Sequence, residues 1–284
     1  MIRKAVIPVA GLGTRLLSAT KEQPKEMLPV FSKSANGKIC LKPLVQLVFE
    51  QLFEVGIREF CFIVGRGKRA MEDHFTPDYG YVERLNNVGK NNQAYDLTCF
   101  YKKLEESTII WINQPEPKGF GHAVLLSQSL IGYEEFLVHA GDTYIISKGN
   151  DHLTRLIGYS KKIKDDATLV AKEVPNPQQY GIIEGQQEGK DFRVSRVVEK
   201  PEKPTTNLAI MPIYIFTHIL FRALETTSLG KGGELQLTDG IQKLIDWGLN
   251  VHAIELNSDE IWLDIGTPET YWEAQSLSYK KAIE

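Results

Sequence analysis

The sequence predicts an α/β protein built on a doubly wound, mixed but mainly parallel sheet, with added strands and C-terminal helices. Three observations carry this. Short apolar runs alternate with segments of helical period. The first run stops at a glycine-rich turn. After about residue 165 the alternation gives way to strand-like runs with fewer helices between them.

The elements follow in order. Lys4 to Val9 is a short apolar run ended by Gly11, the pattern of a buried strand. After Pro43, the residues Leu44, Val45, Leu47, Val48, Leu52, Phe53 and Val55 recur at helical spacing. Pro43 fits the first turn of that helix and Gly56 its end. Phe60 to Val64 reads as the next strand, so the three elements predict a βαβ crossover and parallel pairing. Thr108 to Ile112 and Glu135 to His139 continue as strands, with Gly121 to Leu130 and Asp151 to Ile163 as helices. Ala167 to Val174, Gly181 to Glu184, Phe192 to Val198 and Leu208 to Phe216 are strand-like. Leu237 to Trp247 and Pro268 to Ala282 are helical. Ser32 to Lys38, with the turn signal Asn36-Gly37, and Val88 to Gln93 read as surface loops. No linker rich in Pro, Gly or Ser interrupts the chain and no repeat is visible, so residues 1–284 read as one domain.

Composition narrows the class. The chain is 42% hydrophobic and 24% charged, ordinary globular usage that excludes disorder, collagen and coiled coil. The net charge is −3 with no basic cluster, which argues against a nucleic-acid partner. Cys40, Cys61 and Cys99 are odd in number and form no CxxC pair, against both a disulfide framework and a structural zinc site. The apolar start after Met1 is broken by Pro8 and ended by Gly11, unlike a secretory leader. No stretch approaches the ~18 apolar residues of a membrane span. The expectation is a soluble, cytoplasmic protein with no membrane partner.

The first strand runs into Gly11-Leu12-Gly13-Thr14-Arg15, where glycines let the backbone approach a phosphate and present N–H donors. The dinucleotide fingerprint fails, because Leu16 stands at its third small position and the second strand ends Ile63-Val64-Gly65-Arg66 without an acid. The GK[ST] of a P-loop is absent. Arg15, Lys21 and Lys25 follow the turn, and Pro24 and Pro29 stiffen the chain around Lys25. Such a cradle suits a polyanion. Asp142 follows a strand, at the end where open α/β sheets place ligands, and Asp264 follows the strand-like Ile261-Trp262-Leu263. On the residues alone, each aspartate equally suits a turn or a helix cap. His122 reads as a satisfied helix-end histidine, since no paired metal spacing exists among the six histidines. Trp111, Trp247, Trp262 and Trp272 read as core or interface.

The run from Ala10 to Val30, AGLGTRLLSATKEQPKEMLPV, resembles the signature of the sugar-1-phosphate nucleotidyltransferases. The likeness continues in family order through Val64 to Phe75, Gln114 to Ala123, Gly141-Asp142, Tyr180-Gly181 and Val197 to Pro201. It then takes in Asn207 to Ala209, Gly232 to Asp239 and Trp262 to Pro268. Gly65-Arg66-Gly67-Lys68 and Gly232-Gly233-Glu234 look most like the uridylyl-transferring branch of bacteria and archaea. The resemblance implies a Rossmann-like nucleotidyltransferase fold, with a nucleotide-binding portion over about 1–165 and a sugar-phosphate-binding, C-terminal portion over about 166–284. It implies transfer of a uridylyl group from UTP to glucose-1-phosphate, giving UDP-glucose and pyrophosphate, and a homo-oligomer (dimer or tetramer).

By the same resemblance, Asp142 and Asp264 hold Mg²⁺. Ala10, Gly11, Gly13, Thr14 and Arg15 wrap the triphosphate, and Lys25 contacts its α-phosphate region or the departing pyrophosphate. Gln114 reads the pyrimidine edge and Gly119 lets the base lie against the backbone. Glu199 accepts sugar hydroxyls, Lys200 holds the sugar phosphate, and Gly181 and Asn207 line the hexose pocket. Arg15, Lys25, Asp142 and Lys200 form the catalytic set. Two departures stand out. Many relatives carry a second acid after Asp142, here Thr143, which is expected to leave metal binding intact. The chain also has an insertion around Asn36-Gly37. Three rivals remain. A thymidylyltransferase would use dTTP with the same sugar phosphate. A non-catalytic nucleotide-sugar sensor would lack Lys25 or a metal carboxylate, yet all are present. A nicotinamide oxidoreductase fails at Leu16.

Overall fold

The computed structural model describes residues 2–188 and 191–284; Met1, at the head of the apolar start, lies outside them. The strands are β1 (Lys4–Val9), β2 (Pro29–Lys33), β3 (Ile39–Pro43), β4 (Glu59–Val64), β5 (Thr108–Asn113), β6 (Phe136–His139) and β7 (Thr143–Ile146). After these come β8 (Ala167–Glu173), β9 (Gly181–Glu188), β10 (Asp191–Glu199), β11 (Leu208–Phe216), β12 (Val251–Glu255) and β13 (Ile261–Asp264). The helices are α1 (Leu44–Glu54), α2 (Arg69–His74), α3 (Tyr79–Asn87), α4 (Asn91–Glu105), α5 (Phe120–Leu125), α6 (Gln128–Ile131), α7 (Asp151–Ile163), α8 (Ile219–Glu225), α9 (Leu237–Asp246) and α10 (Pro268–Ile283).

Nine strands form one sheet in the order β5-β4-β1-β6-β11-β8-β12-β10-β9. Pairing is parallel from β5 through β6 and between β8 and β12. It is antiparallel where β11 sits between β6 and β8, and where β10 sits between β12 and β9. The sheet is mixed as expected, but it is not mainly parallel: along the strand order the described residues form four parallel and four antiparallel neighbour pairs. The cause is long-range pairing: β11 enters between β6 and β8, and β10 lies beside β12, each from far along the chain, and among the antiparallel neighbours only β9 and β10 are consecutive strands.

The strand period of two explains the layers. Ala5, Ile7 and Val9 of β1 face one core, where α1, α4 and α7 bury Phe49, Phe100 and Leu153. Val6 faces the other, with Val124 of α5, Phe221 of α8 and Ile241 of α9. Helices thus cover both faces, as a doubly wound fold requires. A third, smaller core joins Val30, Leu44, Leu263 and Ala274, so α10 and the β2–β3 hairpin pack beside β13. Thr267 and Thr270 exchange side-chain to backbone hydrogen bonds of 3.2 and 3.0 Å, a capping box that starts α10 with Pro268 in its first turn.

Several local readings change. The stretch expected as one helix over Gly121 to Leu130 divides into α5 and α6, and Ser127 between them donates its hydroxyl to Val124 O at 2.7 Å. Ser32 to Lys38 is not a plain loop: the insertion is the β2–β3 hairpin, turning at Asn36-Gly37 with Gly37 at φ 77°. Most of Val88 to Gln93 is helical or capping, because α4 begins at Asn91. Pro43 closes β3 and caps α1, just outside its first turn. Trp272 is 74% exposed and Trp247 41% exposed, so neither is core. The three cysteines are free. No described helix is long and apolar enough to cross a membrane.

Phe49 ties α1 to β4, α2 and α4, with ring centroids 4.6 Å from Phe60, 5.4 Å from Phe75 and 5.9 Å from Phe100. Phe49→Ala is expected to cost about 3–5 kcal/mol of unfolding free energy, measured by urea denaturation.

Candidate active site

The site forms where β1, β6 and β13 end. The chain leaves β1 at Val9 and turns through Gly11-Leu12-Gly13. Gly13 takes a left-handed φ of 64°, and its carbonyl accepts the Thr20 hydroxyl at 2.8 Å and the Leu16 N–H at 2.9 Å. This turn, with Ala10, Thr14, Lys25, Gln114, Gly119 and Asp142, lines a cavity of about 390 Å³. Lys25 opens a single helical turn after Pro24, and its side chain passes close to Gly11. Its Nζ donates to Asp142 Oδ2. The Asp142 charge raises the Lys25 pKa against the opposing effect of burial.

Asp142 sits on the turn from β6 into β7. Ala140 N–H donates to Pro212 O of β11 at 2.9 Å, and Gly141 N–H to Pro8 O of β1 at 3.3 Å. Two strands of the central sheet therefore hold the turn. β7 pairs antiparallel with β13, and Asp264 faces Thr143 across that ladder, one residue from Asp142. The two half-buried aspartates thus meet at one end of a two-stranded ribbon. Burial pushes the Asp142 carboxyl up, but the Lys25 ammonium outweighs it and the net shift is down. Burial and then the Asp142 charge push Asp264 up to about 6, with Lys25 and Arg15 acting against them. A pair of crowded carboxylates is a site where a hard cation relieves repulsion, and two carboxylates with substrate oxygens and water make an ordinary donor set for one. Among the described residues no third ligating side chain joins them.

A second cavity, of about 360 Å³, shares Asp142 and Phe120 with the first and adds Arg15, Gly181, Glu199, Lys200, Thr238, Trp262 and Asp264 to its walls. Glu199 ends β10 opposite Gly181 of β9, and its carboxylate accepts the Thr238 hydroxyl at 3.0 Å. The Lys200 Nζ lies 3.1 Å from Glu199 Oε1. Lys200 adopts φ 43°, which non-glycine residues seldom take; its N–H donates to Tyr180 O at 3.0 Å and its carbonyl accepts Lys231 Nζ at 2.8 Å. A held, strained lysine at a cavity mouth marks a place where function sets the backbone.

The structure brings together every residue expected at the site except Asn207, which is exposed at the foot of β11 and lines neither cavity. Its backbone carbonyl accepts Val174 N–H at 2.9 Å, extending the β8–β11 pairing away from the cavities. Trp262, expected as core or interface, lines the second cavity. Gly119 takes φ 102°, and a Cβ there would lie 2.5 Å from Leu235 O. Two contributors escaped the sequence reading. Glu26 and Lys68 form a buried pair at 2.8 Å directly beside Lys25. Burial raises the Glu26 pKa, and Lys68 and Lys25 oppose it. Their only signal was position within two motifs distant in sequence. His122, read as a satisfied helix-end histidine, stands in the first turn of α5 and bonds Gln114.

Residues 4–281 match the family described as nucleotidyl transferase. The chain is 37% identical over 286 residues to a UTP–glucose-1-phosphate uridylyltransferase of Pseudomonas aeruginosa, covering 99% of this chain and 97% of that protein. It is 41% identical over 249 residues to one of Bacillus subtilis, covering 86% and 80%. A crystal structure of UDP-glucose pyrophosphorylase complexed with UDP-glucose superposes with a TM-score of 0.85 at 32% identity, covering 99% of this chain and 100% of that one.

The shift of Asp264 fixes the sign of one prediction. A carboxyl that titrates near 6 in the fold and lower when unfolded costs stability as pH rises through that interval, and the cost is complete at neutral pH. Asp264→Asn is expected to add about 2 kcal/mol of stability in metal-free buffer at neutral pH, a gain that shrinks below pH about 6. Urea denaturation across pH measures both.

Proposed function

The chain belongs to the nucleotidyl transferase family, and we propose that it transfers a uridylyl group from UTP to glucose-1-phosphate, giving UDP-glucose and pyrophosphate. The single observation that carries this reading is the meeting of Asp142, Asp264 and Lys25 where two cavities join. One cavity is walled by a glycine turn and an amide, the other by a carboxylate and a lysine. Two anionic substrates fit such an arrangement, one in each cavity.

The reaction joins a sugar-phosphate oxygen to the α-phosphorus of the nucleotide while the bond to pyrophosphate breaks. The protein supplies no nucleophile; it aligns two anions that repel one another. The backbone of Gly11 to Thr14 holds the triphosphate, and the Arg15 guanidinium, in the wall of the second cavity near Asp264, meets its phosphates from that side. Lys25, between that turn and Asp142, offsets the charge that passes to the leaving pyrophosphate. Lys200 holds the phosphate of the sugar, and Glu199, already accepting from Thr238, takes hydroxyl hydrogens. Asp142 and Asp264 would hold a divalent cation, read here as Mg²⁺, which when bound supplies positive charge to the phosphates. Thr143, almost fully buried opposite Asp264, packs this ribbon and leaves both carboxylates in place. The presence of Lys25 and both carboxylates favours catalysis over a sensor role. The parallel sector β5-β4-β1-β6 supports the description Rossmann-like.

Pyrophosphate release from UTP, glucose-1-phosphate and Mg²⁺ tests the reading. Asp142→Ala is expected to lower kcat by about two to three orders of magnitude. A steady-state comparison of the triphosphates is expected to show the highest kcat/KM with UTP; a large preference for dTTP would reassign the nucleotide.

A further inference from the structure

We infer that His122 sets the base selectivity of the site by fixing which atom of the Gln114 amide faces a bound base. The inference rests on the reading of Gln114 as the residue that meets the pyrimidine edge, and extends it to a residue with no assigned role.

The argument begins at Gly119. Its carbonyl oxygen can only accept, and it lies 3.2 Å from one end of the Gln114 amide, so that end must be the nitrogen. The same nitrogen lies 2.9 Å from His122 Nδ1. An amide N–H there requires a bare Nδ1, with the ring proton on Nε2. Burial, and then the Lys118 charge, lower the His122 pKa and favour that neutral form. Both amide hydrogens are then committed. Gln114 Oε1 has no hydrogen-bond partner among the described residues, and Gln114 lines the nucleotide cavity. The backbone is equally fixed: Gln114 N–H donates to Val64 O at 2.7 Å, and Gly119 is held at φ 102° against Leu235.

Gln114 therefore presents an acceptor and nothing else. For an oxygen that meets ring position 3, uracil offers an N–H and cytosine a lone pair. An amide oxygen pairs with the first and repels the second. Thymine carries the same N–H, so this device separates uracil from cytosine and is blind to uracil against thymine. His122 is a positioning residue: it touches Gln114 and not the base.

His122→Leu removes the closer of the two acceptors on the amide nitrogen and leaves only the longer contact, 3.2 Å, to Gly119 O, so the Gln114 amide can turn its nitrogen outward more readily. The ratio of kcat/KM for UTP to that for CTP is expected to fall about tenfold, the range of one hydrogen bond. The ratio for UTP to dTTP should stay unchanged, which a general loosening of the cavity would not give. His122→Asn returns an acceptor near the Nδ1 position and should restore the UTP-to-CTP ratio. His122→Ser, too short to reach Gln114, is the second loss variant should Leu prevent folding. An unchanged UTP-to-CTP ratio in the folded loss variants, with a wild type active on UTP, overturns this inference alone. A wild type that releases no pyrophosphate from UTP overturns the functional reading and the inference with it.

Discussion

Two like charges held side by side organise this molecule. Asp142 and Asp264 lie more than a hundred residues apart in sequence, yet the β7–β13 ladder sets them one residue from opposite positions. Left alone they would repel, and the upward shift of Asp264 records that repulsion together with burial. The fold resists it through three attachments. β1 and β11 grip the Ala140–Gly141 turn, α10 packs its capped end behind β13, and Lys25 pairs with Asp142.

The placement of Lys25 shows how buried charge supports exposed charge. Glu26, beside it on the same helical turn, pairs with Lys68 from the loop before α2, almost wholly out of water. Such a pair adds little net stability, because desolvation offsets its attraction, but it fixes direction. With Glu26 anchored to Lys68, the turn that carries Lys25 is held where Lys25 reaches Asp142. The cavities on either side then differ in character for local reasons. One is walled by backbone turns that close glycine contacts permit, the other by side chains at the ends of β9 and β10.

Much of this was legible in the sequence. Buried strands declared themselves as apolar runs, and Leu208–Phe216 and Asp151–Ile163 stand where periodicity placed them. The glycine turn was visible as a phosphate-type cradle, whereas the two aspartates, each equally a turn or cap residue on its own, were singled out by the family resemblance. What could not be read was long-range pairing. The antiparallel share of the sheet depends on which neighbour β11 finds, and no local pattern encodes that choice. Asn207 was placed in the hexose pocket by resemblance, but it stands exposed just before β11 and lines neither cavity. His122 and Lys68 stayed hidden because each acts through a residue far away or beyond a turn. The helices α2 to α4 escaped because their apolar faces are interrupted by aromatics and charges.

The central claim is that both carboxylates serve one ion. Electron paramagnetic resonance titration of Mn²⁺ into the protein with bound UTP measures this directly, in the wild type and in the Asp142→Asn and Asp264→Asn variants. The account predicts a single site in the wild type, with affinity lost in either variant alone. Retention of that site at undiminished affinity in one of the two variants would contradict it.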